Sequence, residues 1–401
     1  MDTKVSIDEL LTRGVDTIYP SRAALETVLQ SGKKLRLYQG FDPTGTQLHI
    51  GHTVALMKLR QFQNLGHHII ILIGDFTAMI GDPTGKIEGA RKQLTHEEVL
   101  KNATTYKEQF SKIIPFDGPN PAELRYNSEW LGSMSAIEFM GIAHLLTFQQ
   151  IIKREMFHQR MESGKDVMMN EFMYPVMQGI DSVKLDVDVE LGGSDQMFNM
   201  LVGRDLMKRI MRKDKFVITV PLLTDSEGKK IGKTEGNVIG ITDKPNDLFG
   251  KIMTLPDSTI APCFELITSL SWEEVKQIQK KLSNNPNPME YKKKLAYTLV
   301  ASYNSGREAA RAQKYFEQTF QERSAPTDVP VFKLSAKATT VIDILTKTGI
   351  AESNSAAKSL VSQGAIDIDG KTIDNVKQVI EPRNGMIIKR GKSTFVKIRV
   401  I

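Results

Sequence analysis

An α/β fold is predicted: a parallel-sheet domain with crossover helices, then an all-helical region, then a small basic α+β tail. Three observations lead there. From Lys34 to Val220 short apolar runs alternate with amphipathic stretches, the pattern of buried strands joined by crossover helices. From Asp247 to Phe320 the periodicity is helical and no strand stands out. Residues 331 to 401 carry 12 Lys and Arg against 6 Asp and Glu, which leaves 41 against 41 in the other 330 residues. The domain boundaries expected are 1–245, 246–330 and 331–401.

The first strand is read over Leu35 to Gln39, followed by a loop rich in Gly, Pro and Thr from Phe41 to Leu48. A helix over Thr53 to Leu65 follows, with Ala55, Leu59 and Phe62 on its apolar face, and Gly66 stops it as a left-handed cap. Ile69 to Ile73 then enters a second buried strand, which completes a strand–loop–helix–strand unit. Between Lys101 and Met161 helical spacing recurs (Tyr106, Phe110, Ile113; Ile137, Met140, His144), as an insertion or as flanking helices. Breaks are expected at Pro256, Pro262, Pro286 and Pro288, and Arg323 to Pro330 has linker chemistry.

Composition excludes several classes. A chain of 401 residues with 40% apolar content is too long for one small domain. The start, Met1 to Glu9, mixes charges where a signal peptide needs a basic start and an apolar run, so export is not expected. The densest apolar run, Ile69 to Ile73, falls far short of the roughly 20 residues of a membrane helix. The single cysteine, Cys263, permits neither an internal disulfide nor a thiolate cluster, which fits a reducing, cytoplasmic setting. The basic tail fits a module that meets a polyanion; the plainer alternative is a solvated charged tail.

Chemistry concentrates in five segments. Gly40 to His52 leads from a strand into a helix start, where free backbone N–H groups and the helix dipole favour phosphate. His49 and His52 lie on one face of the first turn, and Gly51 between them leaves that face open to a flat ring or a sugar. Gly228 to Thr234 sets two ammonium groups and a hydroxyl on a Gly-bounded loop that can close over a triphosphate. Tyr174, Gln178 and Asp181 fall at i, i+4 and i+7, one polar face on a helix whose other residues, Val176, Met177 and Ile180, are apolar. Gly81 to Lys86 follows the second strand. Gly192-Gly193-Ser194-Asp195-Gln196 is a Gly-rich turn whose Asp195 can accept from ribose hydroxyls.

Together these segments resemble the class I aminoacyl-tRNA synthetases, and within them the tyrosyl branch. His49-Ile50-Gly51-His52 matches the HIGH signature letter for letter. Lys230-Ile231-Gly232-Lys233-Thr234 is similar to KMSKS, with glycine in place of a serine; Ile180 and Met197 stand where the branch often has aromatics. The resemblance implies a Rossmann-like catalytic domain in which Tyr38 and Asp181 hold the substrate phenol. Asp82, Tyr174 and Gln178 would hold its ammonium, with Gln196 beside them. Thr44, His49 and His52 would serve the phosphates of ATP, and Lys230, Lys233 and Thr234 the departing pyrophosphate. Gly40, Asp42, Gly51, Gly193 and Asp195 would line the nucleotide, with Lys86 and Arg91 assisting.

Residues 353 to 371 are similar to the S4 RNA-binding module, with a short basic helix, a Gly cap and a tight Asp369-Gly370 turn. Lys358, Lys371, Lys389, Arg390 and Lys392 are its candidate RNA contacts. The activity implied is tyrosine activation by ATP and transfer to tRNA, with Mg²⁺ arriving on ATP, no protein-built metal site, a homodimer, an anticodon-side helical domain and a cytoplasmic location. The alternatives weighed are a tryptophanyl enzyme, a HIGH-bearing nucleotidyltransferase and a non-charging RNA-binding paralogue.

Overall fold

The computed structural model of the protein describes residues 5–84, 93–224, 228, 230–231, 233–234, 237–284, 287–321, 330–335, 337–391 and 394–401; for 233, 234, 237, 320 and 321 it describes the backbone alone. Lys86, Arg91, Lys392, Pro286 and most of the expected linker lie outside the described residues. The chain forms two compact units, Met1–Ala309 and Ala310–Ile401.

The first unit is built on six strands: β1 (Thr17–Tyr19), β2 (Arg36–Phe41), β3 (His68–Ile73), β4 (Glu123–Tyr126), β5 (Val189–Gly193) and β6 (Phe216–Val220), in the order β1-β6-β5-β2-β3-β4. All neighbours are parallel except β1 on β6. The five parallel strands thus run third, second, first, fourth, fifth, the Rossmann order. β3 is buried from Ile69 to Ile73 because both faces are covered, as its unbroken apolar run predicts.

β2 runs on to Phe41, two residues beyond the expected end, since its ladder with β3 continues through Gly40 and Phe41. The following helix, Ile50–Asn64, begins three residues earlier than expected. His49 is its N-cap, an imidazole doing the work more often given to Ser or Asp. Gly66 has φ +82°, the expected left-handed stop.

The segment between Lys101 and Met161 is divided by β4, which sequence patterning does not reveal because none of its four residues is fully buried. Helices His96–Ala103 and Tyr106–Ser111 belong to the β3–β4 crossover, and Ala136–Ala143, Phe148–Ile152 and Glu155–Glu162 follow β4. From residue 245 the unit is helical: Pro245–Met253, Ile260–Ile267, Trp272–Asn284 and Pro288–Tyr303. Pro262 does not break the chain as expected. It lies in the first turn of Ile260–Ile267, where a missing N–H costs no helix bond.

β7 (Lys233–Thr234) and β8 (Asn237–Val238) pair as a two-stranded ribbon. The second unit holds β9 (Val331–Leu334), β10 (Thr339–Thr340), β11 (Ile366–Ile368), β12 (Lys371–Thr372), β13 (Val379–Ile380), β14 (Ile387–Arg390) and β15 (Thr394–Val400). Five form a sheet in the order β12-β11-β14-β15-β9, and β10 pairs with β13. Helices Val341–Lys347 and Asn354–Ser362 share a core with this sheet through Ile344, Leu345, Ala357, Val361 and Ile388. Asp369 (φ +50°) and Gly370 (φ +83°) make the expected tight turn between β11 and β12.

Helices Met169–Leu185 and Met197–Met211 pack closely in the first unit, and the approach is made at two glycines. A Cβ on Gly179 would lie 2.7 Å from Leu206 Cδ1 and 3.3 Å from Gly203 Cα. Gly179→Ala is therefore expected to lower stability by about 1–3 kcal/mol through overpacking, against the roughly 1 kcal/mol that alanine gains in an open helix. Urea unfolding checks the sign; a stabilised variant would mean that the helices separate freely.

Candidate functional site

The cavity lies where β2 and β5, adjacent and parallel, send the chain to opposite sides of the sheet. Their carboxyl ends leave a crevice that backbone does not fill. It measures about 320 Å³. Tyr38 on β2 and Glu190 on β5 are register partners and both line it.

Helix Met169–Leu185 lays its polar face along this cavity: Tyr174, Gln178 and Asp181 all line it. Asp181 accepts from Trp130 Nε1 at 2.8 Å and from Asn127 Nδ2 at 3.3 Å. Burial pushes its carboxyl well above the usual carboxylate range, with the charges of Glu190 and Asp42 adding to the rise and the two donors opposing it. Tyr38 Oη lies 2.8 Å from Ser182 Oγ. Burial, then Glu190 and Asp181, raise its pKa further, so it stays a neutral phenol. Gln178 Nε2 donates to Glu190 Oε1 at 2.9 Å.

Two more carboxylates, Asp82 and Asp42, line the cavity. Asp82 Oδ1 accepts from Thr84 N at 2.9 Å, and its Oδ2 accepts from Gln196 Nε2 at 2.7 Å. Arg154, buried, bonds Thr84 Oγ1 and stands 3.5 Å from Asp82. Asp42 accepts from Tyr174 Oη and Thr77 Oγ1, each at 2.8 Å. A Cβ on Gly74 would collide with both Asp42 and Thr77, so only glycine admits this arrangement.

The two signature loops meet. His49 Nδ1 accepts from Gly51 N, and His52 Nδ1 accepts from His49 N, both at 3.1 Å, so each ring carries its proton on Nε2 in this arrangement. The rings are 3.8 Å apart; His52 lines the cavity with Thr44 and Gly40. Gly51 is closely packed: a Cβ there would meet the His49 ring at 2.9 Å and the Ile231 carbonyl at 3.4 Å, so the absence of a side chain lets the first loop fold on itself and approach the second. Beyond β8 the chain bonds back: Ile50 N to Ile239 O and Ile241 N to Leu48 O, each at 3.0 Å. Lys230 Nζ reaches Asp195 Oδ2 at 2.8 Å, and both line the cavity with Gly193 and Gln196. The side chains of Lys233 and Thr234 lie outside the described atoms; their backbone forms β7.

In the second unit Lys358 and Lys371 are exposed. Lys389 sits over the Phe395 ring at 5.6 Å. Arg390 Nη1 donates to the Ile350 carbonyl at 2.6 Å, which commits part of its guanidinium to the fold.

Sequence reasoning missed Ser182, Glu190, Lys215, Trp130, Asn127, Gly74, Thr77 and Arg154. Ser182 and Glu190 had a usable signal: Ser182 stands four residues after Gln178, and Glu190 lies between Val189 and Leu191. The others reach the site from distant segments with no local pattern.

The family described as tRNA synthetases class I (W and Y) matches residues 30–321, and the tyrosine–tRNA ligase SYY-like C-terminal domain matches 321–398. The chain is 40% identical to the tyrosine–tRNA ligase of Moorella thermoacetica, over 97% of this chain and 94% of that protein. It is 38% identical to that of Thermotoga maritima, over 97% and 96%. Among solved structures it is similar to a C-terminally truncated mitochondrial tyrosyl-tRNA synthetase of Coccidioides posadasii (TM-score 0.64, 27% identity, 77% of this chain and 90% of that one). The tyrosyl-tRNA synthetase of Archaeoglobus fulgidus shares the fold (TM-score 0.60, 21% identity, 78% and 100%).

The raised Asp181 carboxyl has a stability consequence of definite sign. Between the unfolded carboxylate value, about 4, and its higher native value, the folded chain binds the proton and the unfolded chain does not. Stability from this group is therefore lost as pH rises through that window. Relative to Asp181→Asn, the wild type should lose up to about 1.4 kcal/mol per pH unit there. Urea melts at a series of pH values check it; parallel pH profiles would show that Asp181 ionises normally in the fold.

Proposed function

We propose that this chain, which belongs to the tyrosine–tRNA ligase family of class I tRNA synthetases, activates L-tyrosine with ATP and passes the tyrosyl group to tRNA. One observation carries the reading: groups suited to a phenol (Tyr38, Asp181) and to an ammonium (Asp82, Tyr174, Gln178) line one cavity with His52 and Lys230. Tryptophan activation is not favoured, since the relatives described above are tyrosine enzymes and two polar groups at one cavity end suit a phenol.

Tyrosine enters with its hydroxyl toward Tyr38 and Asp181 and its ammonium toward Asp82, Tyr174 and Gln178, with Gln196 holding Asp82 in place. Phenylalanine would offer those buried groups no hydroxyl to bond, a selectivity for which tyrosine-activating enzymes are themselves the usual illustration. The tyrosine carboxylate then attacks the α-phosphorus of ATP, and the bond to pyrophosphate breaks. No protein nucleophile is required, so positioning and charge stabilisation supply the rate.

Thr44, His49 and His52 serve the phosphates through a hydroxyl and two imidazoles. Lys230, Lys233 and Thr234 serve the leaving pyrophosphate. A ribose hydroxyl donating to Asp195 would release the Lys230 ammonium to the phosphates, which couples nucleotide seating to loop closure. Gly40, Asp42, Gly51 and Gly193 shape the nucleotide wall, with Lys86 and Arg91 assisting. Asp42 and Asp82 are already committed to protein donors. Mg²⁺ would be carried by the ATP phosphates and would neutralise part of their charge.

The adenylate's tyrosyl group passes to a ribose hydroxyl at the tRNA end. Lys358, Lys371, Lys389, Arg390 and Lys392 meet tRNA phosphates, and the region 246–330 takes the anticodon-side role. A homodimer is supported by exposed Ile137, Met140 and Phe148 on neighbouring helices after β4. A cytoplasmic location is supported by the single, buried Cys263.

Pyrophosphate exchange with tyrosine, tryptophan and phenylalanine tests the reading: exchange with tyrosine alone is expected, and tryptophan-dependent exchange would overturn it. Asp181→Ala should abolish that exchange, whereas His52→Ala should slow it by roughly 10²-fold, the scale of one lost transition-state donor. Undiminished exchange in Asp181→Ala would refute the pocket assignment. Lys358→Ala combined with Lys371→Ala should weaken tRNA charging and flatten its salt dependence without a matching loss of exchange. Equal loss of both activities would make the basic surface structural.

A further inference from the structure

Behind the cavity lies an ion pair that the mechanism above does not use. Lys215, just before β6, is fully buried, and Glu190 is nearly so. The Lys215 ammonium bonds Glu190 Oε2 and also reaches Ser182 Oγ at 2.8 Å. Ser182 Oγ in turn lies 2.8 Å from Tyr38 Oη and 3.2 Å from Glu190 Oε2. The other carboxylate oxygen, Oε1, accepts from Gln178 Nε2 at 2.9 Å. One buried pair therefore reaches a residue at the phenol end and a residue at the ammonium end of the pocket.

The fold makes room for it. Gly203 stands mid-helix in Met197–Met211, and a Cβ there would lie 2.7 Å from Lys215 Nζ and 2.9 Å from Ser182 Oγ. Stability does not account for the pair, because desolvating two charges commonly costs as much as their attraction returns, and apolar replacements often do as well. Donor and acceptor chemistry does account for it. A carboxylate only accepts, so Gln178 must turn its NH₂ toward Glu190, and its Oε1, the atom an ammonium needs, is the one left for the cavity. An ammonium only donates, so Lys215 takes a lone pair of Ser182. The serine's proton and remaining lone pair are then divided between Glu190 and Tyr38, which directs the Tyr38 hydroxyl.

We propose that the Lys215–Glu190 pair, acting through Gln178 and through Ser182 on Tyr38, is the positioning device that sets affinity and selectivity for tyrosine. This rests on the tyrosine-activating function proposed above. Lys215 and Ser182 are positioning residues. Glu190 lines the cavity but acts by orienting Gln178.

The test is pyrophosphate exchange by the full chain, measuring KM for tyrosine, KM for ATP and the tyrosine-to-phenylalanine ratio of kcat/KM. Glu190→Gln keeps the shape but frees the Gln178 amide to flip, so the tyrosine KM should rise roughly tenfold or more while the ATP KM moves by less than about twofold. Ser182→Ala removes the branch to Tyr38 and leaves the Glu190–Gln178 bond in place, so it should lower the tyrosine-to-phenylalanine ratio by roughly tenfold. Lys215→Met should show both effects. If thermal melts show that it does not fold, the Lys215→Met, Glu190→Gln double variant, which buries no charge, should show the same tyrosine-specific rise. Wild-type tyrosine KM and selectivity in Glu190→Gln and Ser182→Ala would overturn the proposal alone. So would a uniform loss of kcat and both KM values with a lowered Tm, the mark of a merely structural pair. A wild-type chain inactive with tyrosine would overturn the functional reading and the proposal together.

Discussion

The adjacency of β2 and β5 is the constraint on which the site depends. Parallel neighbours whose connections leave on opposite sides open a crevice at their carboxyl ends, and the crevice must be walled by side chains. Here the wall is polar and largely buried, and each unsatisfied polar atom there would cost about 1–3 kcal/mol. The structure answers with protein–protein bonds: Asp42 with Tyr174 and Thr77, Asp82 with Thr84 and Gln196, Glu190 with Gln178 and Lys215. The pocket is consequently held in shape by its own residues. Orientation is settled in the fold rather than at the moment of binding, the condition under which fixed dipoles act most strongly on a reacting charge.

The same economy links the two signature loops. They are 178 residues apart from His52 to Lys230, yet the strand-like bonds between Leu48–Ile50 and Ile239–Ile241 bring the second against the helix that the first begins. The first loop is clamped from its other side as well. Tyr106 Oη donates to the Gly45 carbonyl at 2.7 Å, and Gln109 both accepts from Leu48 N and donates to the Thr46 carbonyl. A loop held on two sides keeps its backbone N–H groups aimed, while Lys230, more than half exposed, retains the freedom to leave Asp195.

What could be read from the sequence follows the range of the interactions involved. β3, the helix after the first loop and the Asp369-Gly370 turn are governed by neighbours within a few residues, and each emerged from local pattern. β4 did not, because Glu123, Leu124, Arg125 and Tyr126 are all only half-buried, so neither an apolar run nor a clean alternation marks them. The helix face bearing Tyr174, Gln178 and Asp181 could be drawn from a 3.6-residue spacing alone. Its partners could not: Trp130 and Asn127 meet Asp181 across 51 and 54 residues, and Lys215 meets Ser182 across 33. The early start of the helix at Ile50 escaped for a different reason, since a histidine cap is uncommon and only its reciprocal bond with His52 makes it effective.

Glycine shows why local rules fail where the site begins. In a helix interior it is about 1 kcal/mol worse than alanine, so Gly179 and Gly203 are locally unfavourable choices. Each is required by something distant: Gly179 by the neighbouring helix, Gly203 by the ammonium of Lys215 and the hydroxyl of Ser182. Gly74 follows the same logic beside Asp42 and Thr77. At Gly179 and Gly203 helix propensity and close approach thus oppose each other, and close approach prevails because a Cβ there would displace the packed neighbour. A sequence reader who treats such glycines as weak points of a helix will look for the site elsewhere; treated as points of contact, they lead to the buried network directly.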